Sequence, residues 1–302
     1  MYVKFTYFYD LNPFPATPET LSSFITLIGF SVKSHKTVNN YLSALRRLHD
    51  LSGFDSAAFD DIKVKLTLKG LEKTKRHIPV RKLPITPDML LKFCSHLDFR
   101  NSAHLALWAA LLVGFFTFFR TANLCPTSRC VPQMCPTFSA FSTLSRNDIT
   151  FTSWGAAITV TWTKTRQSGD TALVVPIPRI PNSVLCPVRA LNALFQAVDI
   201  PASAPAFSYL STGHRLDCIT ASIFRSSIQL LASRIGLEPR SYSGHSLRRG
   251  GATFAFQCGI PAELIKIQGD WRSDAYLLYL MIPLADRLVL TQTLAYHVGQ
   301  AM

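Results

Sequence analysis

One apolar run restricts the fold of this chain more than any other feature of its sequence. Residues 105 to 119 contain no charged side chain, and the run ends at Arg120. Such a run is shorter than the roughly 20 residues that a helix needs to cross a lipid bilayer. It therefore predicts a helix buried in a protein core, and we expect no membrane partner.

The composition indicates a folded, basic protein. The chain has 302 residues, of which 48% are hydrophobic, and this is enough for packed cores in two domains. Its formal net charge of +13 favours an anionic partner, most simply nucleic acid, although a basic enzyme without such a partner is the alternative. No signal peptide is evident at the N-terminus.

The cysteines indicate a reducing, intracellular compartment. They number seven, which is odd, and most lie in apolar surroundings, so a disulfide framework is not expected. Cys125, Cys130 and Cys135 recur with four residues between them, but no CxxC pair or partnering histidine lies nearby. A zinc site is therefore not expected.

Residues 17 to 72 have the pattern of a small helical domain. Thr17, which precedes a proline, and Thr37 predict two helix starts, and a third helix is expected over residues 60 to 72. Apolar residues at three- and four-residue spacing predict the core faces. The opposite faces carry amides and cations that could meet phosphates and base edges, although an ordinary solvated face is the alternative. The residues predicted to bind DNA there are Lys36, Asn40, Arg46 and Arg47.

A basic linker is expected next. Residues 73 to 85 contain five cations, no acid and two prolines. We therefore expect a helical domain over residues 1 to 83 and a larger domain over residues 86 to 302. Such a linker could lie along the phosphates of a duplex, and a localisation signal or a plain solvated linker is the alternative. The linker residues predicted to contact DNA are Lys75, Arg76, Arg81 and Lys82.

The larger domain is expected to combine helices with a small sheet. Thr86, again followed by a proline, predicts its first helix. Residues 127 to 142 have the composition of an insertion loop, and a last helix is expected over residues 286 to 296. Alternation at period two over residues 149 to 166, and a third short strand over residues 172 to 177, predict an antiparallel sheet.

Two cations of this domain are candidate site residues. Arg120 emerges at the end of the apolar run, where a guanidinium is costly to bury unless an anion or a carboxylate meets it. A structural salt bridge is the alternative. Lys164 is expected at the edge of the second strand, next to a polar turn, where it could swing towards a groove. A lysine on a strand edge more commonly prevents aggregation.

A further group of residues carries chemistry. His245 and Arg248 stand three apart at an expected helix start, so both would project from one face. Trp271 supplies an indole donor, and Tyr276 or Tyr279 could be a nucleophile. A tyrosine that attacks phosphorus needs cations on the non-bridging oxygens and groups that manage protons.

The order and spacing of these residues resemble the tyrosine recombinase (phage-integrase) family. The resemblance is to the eukaryotic mobile-element type, crypton- or DIRS-like, in which a tryptophan often replaces a second histidine. Arg120 matches the family's first catalytic arginine, although the acid that normally follows three residues later is Asn123 here. Lys164, within Trp-Thr-Lys-Thr-Arg-Gln, matches the lysine of the family's mobile hairpin.

The resemblance implies a fold and a reaction. The fold would be mainly α with a small antiparallel β-sheet (α+β), in which a SAM-like core-binding domain and a catalytic domain form a C-shaped clamp on DNA. The reaction would be strand cleavage and rejoining through a 3′-phosphotyrosine, with no metal or other cofactor. The residues implied are Arg120, Lys164, His245, Arg248, Trp271 and Tyr279. The partners implied are double-stranded DNA and copies of the chain, as a homodimer on each site and a homotetramer in synapsis; the location would be nuclear if the host is eukaryotic.

Several alternatives stay open from the sequence. Tyr276 is the rival nucleophile, although a tyrosine eight residues after the tryptophan fits the family better than one five residues after it. Trp271 would either donate to the phosphate or pack against the tyrosine segment. The chain could also be a domesticated DNA-binding protein that has lost catalysis, or a type IB topoisomerase-like enzyme. A metal-dependent nuclease is disfavoured because the acids number only 18 and none cluster near the site.

Overall fold

The structure of the chain is a computed structural model. It describes residues 1–75, 81–128, 143–161, 163, 172–213, 215–280 and 284–300. The chain divides into two compact units, Met1–Val80 and Arg81–Met302.

The first unit is helical. Its elements are α1 (Tyr2–Phe8), α2 (Pro18–Ser31), α3 (His35–Leu51), a 3-10 turn (Ala57–Asp60) and α4 (Ile62–Thr74). Thr17 caps α2 as predicted, since its hydroxyl accepts the Thr20 backbone N–H. The predicted start of α3 at Thr37 is wrong, because Ser34 caps this helix through the Lys36 N–H.

The core of the first unit confirms most of the predicted apolar faces. The predicted residues of α2 and α3 that are buried are Leu21, Phe24, Ile25, Ile28, Val38, Leu42 and Leu45. Tyr41 and Leu48 lie at the same helical spacing but are exposed, because they fall at the margin of the buried face of α3. Helix α1 was not predicted, yet it closes this core with Tyr2 and Phe5. The fully buried His49 joins two segments, because its Nε2 accepts the Ala16 N–H at 2.9 Å and its Nδ1 lies 3.0 Å from the Leu45 carbonyl oxygen.

The predicted linker over residues 73 to 85 is partly regular structure. Helix α4 continues through Thr74, since the chain offers no helix breaker there. At the other end, the N–H groups of Leu83 and Ile85 donate to the carbonyl oxygens of Ser241 (2.8 Å) and Ser246 (3.0 Å). Burial of the Ile85 side chain explains why this end belongs to the second unit. Arg76 lies outside the described residues.

The second unit is mainly helical with two small antiparallel sheets. Its helices are α5 (Pro87–Cys94), α6 (Ser102–Thr117), α7 (Thr121–Leu124), α8 (Pro187–Ala197), α9 (Ala221–Arg234), α10 (Gly244–Gln257), α11 (Ala262–Gln268) and α12 (Leu284–Gln300). Its strands are β1 (Ile149–Phe151), β2 (Gly155–Val160), β3 (Leu173–Pro178), β4 (Ser208–Leu210) and β5 (Leu216–Cys218). The predicted α+β class is confirmed.

Helix α6 is the centre of this unit, as the apolar run predicted. Every residue from Ala106 to Phe115 is buried, and the helix packs against α8 and α10. Phe118 ends it in the left-handed backbone conformation, with a φ of 55°. Among the described residues, no helix is long and apolar enough to cross a membrane.

The larger sheet has the strand order β1-β2-β3, and both pairs are antiparallel. Ile158 pairs with Ile149 and with Val175, and these side chains face the core. The predicted sheet is thus present, although Trp162 and residues 164–171 lie outside the described residues, as do residues 129–142 of the predicted insertion loop. Strands β4 and β5 were not predicted, because three residues are too few to show an alternating pattern.

Two glycines of helix α10 lie in direct contact with backbone atoms of neighbouring segments. A Cβ atom on Gly250 would overlap the carbonyl oxygen of Ile85, and one on Gly251 would overlap that of Phe115. Only glycine permits this approach. The helix therefore lies directly against the end of α6, the segment from which Arg120 emerges.

Candidate active site

Arg248 is the centre of the candidate site. It lies in the second turn of α10, and its side chain is buried, with only 2% of the residue exposed. Its Nη1 donates to the carbonyl oxygen of Phe118. Its Nη2 is buried and has no hydrogen-bond partner among the described residues. A buried guanidinium nitrogen without a partner is costly, so the site is built to receive an anion there.

Trp271 covers the flat face of this guanidinium. The Arg248 Cζ lies 3.6 Å from the centroid of the indole ring, which is cation–π distance. Trp271 is itself buried and packs against Phe118, with 6.4 Å between ring centroids. The geometry therefore shows a packing contact of Trp271, and its predicted hydrogen bond to a phosphate stays a prediction.

The two tyrosines differ in their surroundings. Both lie near Trp271, with ring centroids 6.2 Å away for Tyr276 and 5.7 Å away for Tyr279. Tyr276 is 7% exposed and belongs to a small core cluster, whereas Tyr279 is half-buried. The Thr253 hydroxyl donates to the backbone carbonyl of Tyr279 and holds this residue at the end of a 3-10 turn. Tyr279 therefore has the more accessible side chain.

The pKa of Arg248 is lowered by its surroundings. Burial first, and then the neighbouring charge of Arg120, lowers the pKa of Arg248 from 12.5 to about 9. Tyr279 and Asp270 act in the opposite direction, since a negative charge on either favours the guanidinium. Even so, Arg248 remains charged at neutral pH.

His245 lies exposed in the first turn of α10. Although the residue as a whole is exposed, the surrounding protein desolvates its ring, and this lowers its pKa below the ordinary value of 6.5. The cations Arg248, Arg120 and Arg225 lower it further. His245 is therefore uncharged at neutral pH and can accept a proton.

Arg120 stands at the start of α7, and it is partly buried. Among the described residues it forms no ion pair with a carboxylate, so the salt-bridge alternative has no support there. Asn123, which takes the place of the family's acid, is buried, and its N–H donates to the Arg120 carbonyl at 2.9 Å.

Arg225 is a residue of the site that the sequence interpretation missed. It is exposed on α9, and its charge acts on His245. Helix α9 has a readable pattern, because Phe224, Ile228 and Leu231 recur at helical spacing and are buried. That pattern would have placed Arg225 on a solvent-facing surface.

The structure thus brings together five of the six predicted site residues, which are Arg120, His245, Arg248, Trp271 and Tyr279. Lys164 lies outside the described residues. The preceding Thr163 is described and is buried, and its hydroxyl donates to Asp270 at 2.6 Å. The roles of all six residues stay predictions.

The predicted DNA-binding residues of the first unit are not equivalent. Lys36, Asn40 and Arg47 are exposed on α3, and their spacing puts them on one helix face. Arg46 instead forms an ion pair with Asp60, with 2.6 Å between nitrogen and oxygen. In the predicted linker, the remaining candidates also differ. Lys75 is partly buried, Arg81 is exposed, and the Lys82 ammonium donates to the Arg240 carbonyl.

A metal site is not formed by the part of the chain that the structure describes. No three side chains of histidine, cysteine, aspartate or glutamate gather there in a way that could hold an ion. Cys125 is buried, and burial raises the pKa of its thiol. Cys130 and Cys135 lie outside the described residues.

Comparison with known proteins points to one family. No protein-family model matches the sequence. The chain is 25% identical over 273 residues to a protein named as an integrase/recombinase xerD homolog, from Selenomonas ruminantium; the match covers 88% of this chain and 74% of that protein.

Solved structures share the fold. The XerH site-specific recombinase, bound to a palindromic difH substrate, matches with a TM-score of 0.55 and 13% identity, over 96% of this chain and 75% of that one. The Tn1549 transposon integrase, in complex with circular intermediate DNA, matches with a TM-score of 0.52 and 14% identity, over 92% of this chain and 85% of that one. The chain therefore has the fold of the tyrosine recombinases. The chain is thus similar in sequence to an integrase/recombinase homolog and similar in fold to solved recombinases and integrases.

Proposed function

We propose that this chain is a site-specific DNA recombinase that cleaves and rejoins DNA strands through a 3′-phosphotyrosine intermediate. One observation carries the proposal. The guanidinium of Arg248 is buried, stacked on Trp271 and left with an unpartnered nitrogen, and its charge is coupled to that of the half-buried Tyr279. A phosphodiester placed at this nitrogen would satisfy it and would lie within the reach of a tyrosine nucleophile.

The reaction exchanges one ester of phosphoric acid for another. The Tyr279 oxygen attacks the scissile phosphorus, the bond from phosphorus to the 5′-oxygen breaks, and the 3′-phosphate is left on the tyrosine. His245 accepts the tyrosine proton, and Lys164 gives a proton to the leaving 5′-oxygen. The free 5′-hydroxyl of another strand can then reverse the step. No nucleotide cofactor is required, because the phosphotyrosine conserves the energy of the broken bond, and in this proposal cationic side chains take the place of a metal at the phosphate.

The two arginines stabilise the charge that develops on the phosphorane. Arg248 and Arg120 each present a planar, charged group that fits two oxygens of a phosphate. Each such contact contributes about 3 kcal/mol in sites of this kind. Burial makes the contact with Arg248 stronger, since the effective dielectric constant is lower there than in water.

His245 is suited to the role of base. Its lowered pKa leaves the imidazole unprotonated at neutral pH, which a proton acceptor requires. The cations near His245 disfavour a positive charge on its ring, and the same cations attract the negative charge that develops on the phosphate in the reaction.

The proposal extends to the type of recombinase and to its assembly. Trp271, in place of a second histidine, supports the eukaryotic mobile-element type, crypton- or DIRS-like, and this finer assignment rests on the residues alone. Exchange between two duplexes needs four active sites, so the chain would form a dimer on each DNA site and a tetramer in synapsis. The location would be intracellular, and nuclear in a eukaryotic host.

A second function, binding to DNA without catalysis, has one observation in its favour. Asn123 replaces the acid that orients the first arginine in the family, so Arg120 lacks that carboxylate. A domesticated protein could tolerate this loss. Covalent trapping separates the two functions, because only a catalytic protein forms an adduct with DNA.

Covalent trapping tests the proposed function. Wild type, Tyr279→Phe and Tyr276→Phe would be incubated with a pool of duplexes that carry a randomised centre and a nick, so that the cleaved fragment diffuses away and the adduct accumulates. We expect a detergent-stable adduct on the labelled 3′-phosphate side for wild type and for Tyr276→Phe, since phenylalanine preserves the packing of Tyr276 on Trp271. Tyr279→Phe should form none.

Other results would change the conclusion. An adduct that survives in Tyr279→Phe and disappears in Tyr276→Phe would make Tyr276 the nucleophile. No adduct from wild type on a pool that it binds in a salt-sensitive manner would favour the binding protein.

A further inference from the structure

The turn that precedes Trp271 is closed by an unexpected residue. Helix α11 ends at Gln268 and is capped by Gly269. The Asp270 N–H donates to the Ile267 carbonyl at 3.0 Å, and the Trp271 N–H donates to the Lys266 carbonyl at 3.1 Å. This is the Schellman pattern of a helix end, and its left-handed position normally holds glycine. Here Asp270 occupies it, with a φ of 54°. A glycine would be under less strain.

The carboxylate of Asp270 forms a buried hydrogen bond that a glycine at this position could not form. It is buried, with 9% of the residue exposed, and its Oδ2 accepts the hydroxyl of the buried Thr163 at 2.6 Å. Thr163 lies 107 residues earlier in the chain and directly precedes Lys164. The bond therefore joins the helix end that carries Trp271 to the segment that leads into a second proposed site residue.

Asp270 also lies at the edge of the Arg248 site. Its neighbour Trp271 stacks on the guanidinium, and its negative charge favours the charged form of Arg248. The acid that would stand near Arg120 in the family is absent, because position 123 is asparagine. The carboxylate of Asp270 thus supplies negative charge close to Arg248.

We propose that Asp270 is a positioning residue of the strand-cleavage site, held by Thr163, which fixes the Trp271–Arg248 stack in the orientation that receives the scissile phosphate. This inference rests on the proposed function. It explains why a strained aspartate occupies a glycine position. The strain is compensated by a charged hydrogen bond that a glycine cannot make.

Substitutions at this position separate positioning from folding. Asp270→Gly relieves the backbone strain, so its unfolding temperature should stay close to that of wild type despite the lost hydrogen bond. Asp270→Asn keeps an acceptor for Thr163 and removes only the charge. Thr163→Val removes the hydroxyl and keeps the shape, and Thr163→Ser restores the hydroxyl. Glu263→Gln is the matched control, because Glu263 is an exposed acid on α11 that makes no ion pair among the described residues.

The measurement is the single-turnover rate of adduct formation, at saturating protein, on a duplex selected from the trapping pool. We expect Asp270→Gly and Thr163→Val to slow this rate by about 10-fold to 100-fold, while the affinity for DNA changes by less than about threefold. Thr163→Ser should recover most of the loss relative to Thr163→Val. Glu263→Gln should match wild type. A residue that only supported the fold would lower the unfolding temperature and the rate together.

A double-mutant cycle tests whether Asp270 acts through Arg248. If it does, Asp270→Gly should slow the wild-type enzyme by the factor above, but slow the Arg248→Lys variant by less than about threefold. Equal factors in both backgrounds would show that Asp270 acts independently of Arg248, and would overturn the inference.

The remaining outcomes are also distinct. A wild type that forms the adduct together with an Asp270→Gly variant that forms it equally fast would overturn only the role of Asp270. A wild type that forms no adduct would overturn the proposed function, and the role of Asp270 would fall with it.

Discussion

At the scale of single residues, Arg248 is the side chain of the site whose burial costs the protein most. Its desolvation is costly, and the Trp271 ring and the Phe118 carbonyl offset only part of this cost, because one nitrogen remains without a partner. The phosphate would supply the missing interaction when DNA binds. The protein thus keeps a strong anion site at the expense of its own stability, as functional sites commonly do.

The charges around His245 give a pH dependence with a definite sign. Because its pKa is lowered, His245 becomes protonated, and unable to accept the Tyr279 proton, only below the ordinary histidine range. The acid limb of the cleavage rate should therefore have its midpoint below pH 6.5. Arg225→Gln removes one of the cations that disfavour the imidazolium, so it should shift this limb to higher pH. The measurement is the single-turnover rate across the acid range at saturating protein.

Arg234→Gln is the control for this shift. Arg234 lies on the same helix, α9, but its guanidinium donates to the His96 carbonyl at 3.2 Å, and it is not among the cations that act on His245. This variant should leave the acid limb unchanged. An acid limb that stays in place in Arg225→Gln would show that another group accepts the proton.

At the scale of secondary-structure elements, helix α10 positions the site through its closeness to neighbouring backbone. Gly250 faces the Ile85 carbonyl, and Gly251 faces that of Phe115. This close approach keeps α10 near the end of α6, where the Arg248 guanidinium can donate to the Phe118 carbonyl. Ile85, at the start of the second unit, therefore packs directly against the helix that carries Arg248. The two glycines thus help to position the site as well as to stabilise the fold.

A methyl group at Gly250 should therefore be costly. Gly250→Ala places a Cβ where the Ile85 carbonyl oxygen lies, and backbone atoms cannot rotate away as a side chain could. We expect the free energy of unfolding to fall by about 2–3 kcal/mol, and cleavage to slow because Arg248 is displaced. Chemical denaturation followed by tryptophan fluorescence measures the stability.

Gly70→Ala is the matched control. Gly70 lies inside α4, and among the described residues nothing outside the backbone of its own helix would lie within 4 Å of a new Cβ. Alanine favours helix over glycine by about 1 kcal/mol, so this variant should be as stable as wild type or more stable. Equal effects of the two substitutions would mean that the approach of α10 to Ile85 is not the constraint.

At the scale of the whole molecule, the net charge of +13 makes DNA affinity depend on salt. The contribution of each cation to this affinity depends on whether the cation already forms an ion pair within the protein. Arg47 shares an exposed face of α3 with Lys36 and Asn40, and it makes no ion pair among the described residues. Arg46, next to it in the chain, is paired with Asp60.

These two arginines give a prediction about binding. Arg47→Gln should weaken DNA binding at every salt concentration and reduce the slope of log affinity against log salt by about one, since one phosphate contact is lost. The double variant Arg46→Gln/Asp60→Asn removes a cation together with the acid that neutralises it, so its slope should match that of wild type. Fluorescence anisotropy with labelled duplex measures both slopes. If the double variant loses as much as Arg47→Gln, Arg46 is the cation that contacts DNA.

The sequence by itself determined what is local. The helix starts at Thr17 and Thr86 were predictable because a capping hydroxyl and a following proline act within one turn. The run over residues 105 to 119 had to be buried because it offers no polar face. The spacing of His245 and Arg248 likewise fixed that both groups lie on one helix. Where such signals were weak, as in the short strands β4 and β5 and in helix α1, the prediction failed.

Only the tertiary structure decided which distant residues meet. Arg248 and Phe118 are 130 residues apart, and no local pattern indicates that the carbonyl of one would accept from the other. Nor does helical spacing separate Tyr276 from Tyr279, whereas packing on Trp271 buries the first and leaves the second accessible. The hydrogen bond of Thr163 to Asp270 has the same origin. Backbone preferences act over a few residues, but contacts like these depend on how whole helices pack, and that depends on every side chain between them.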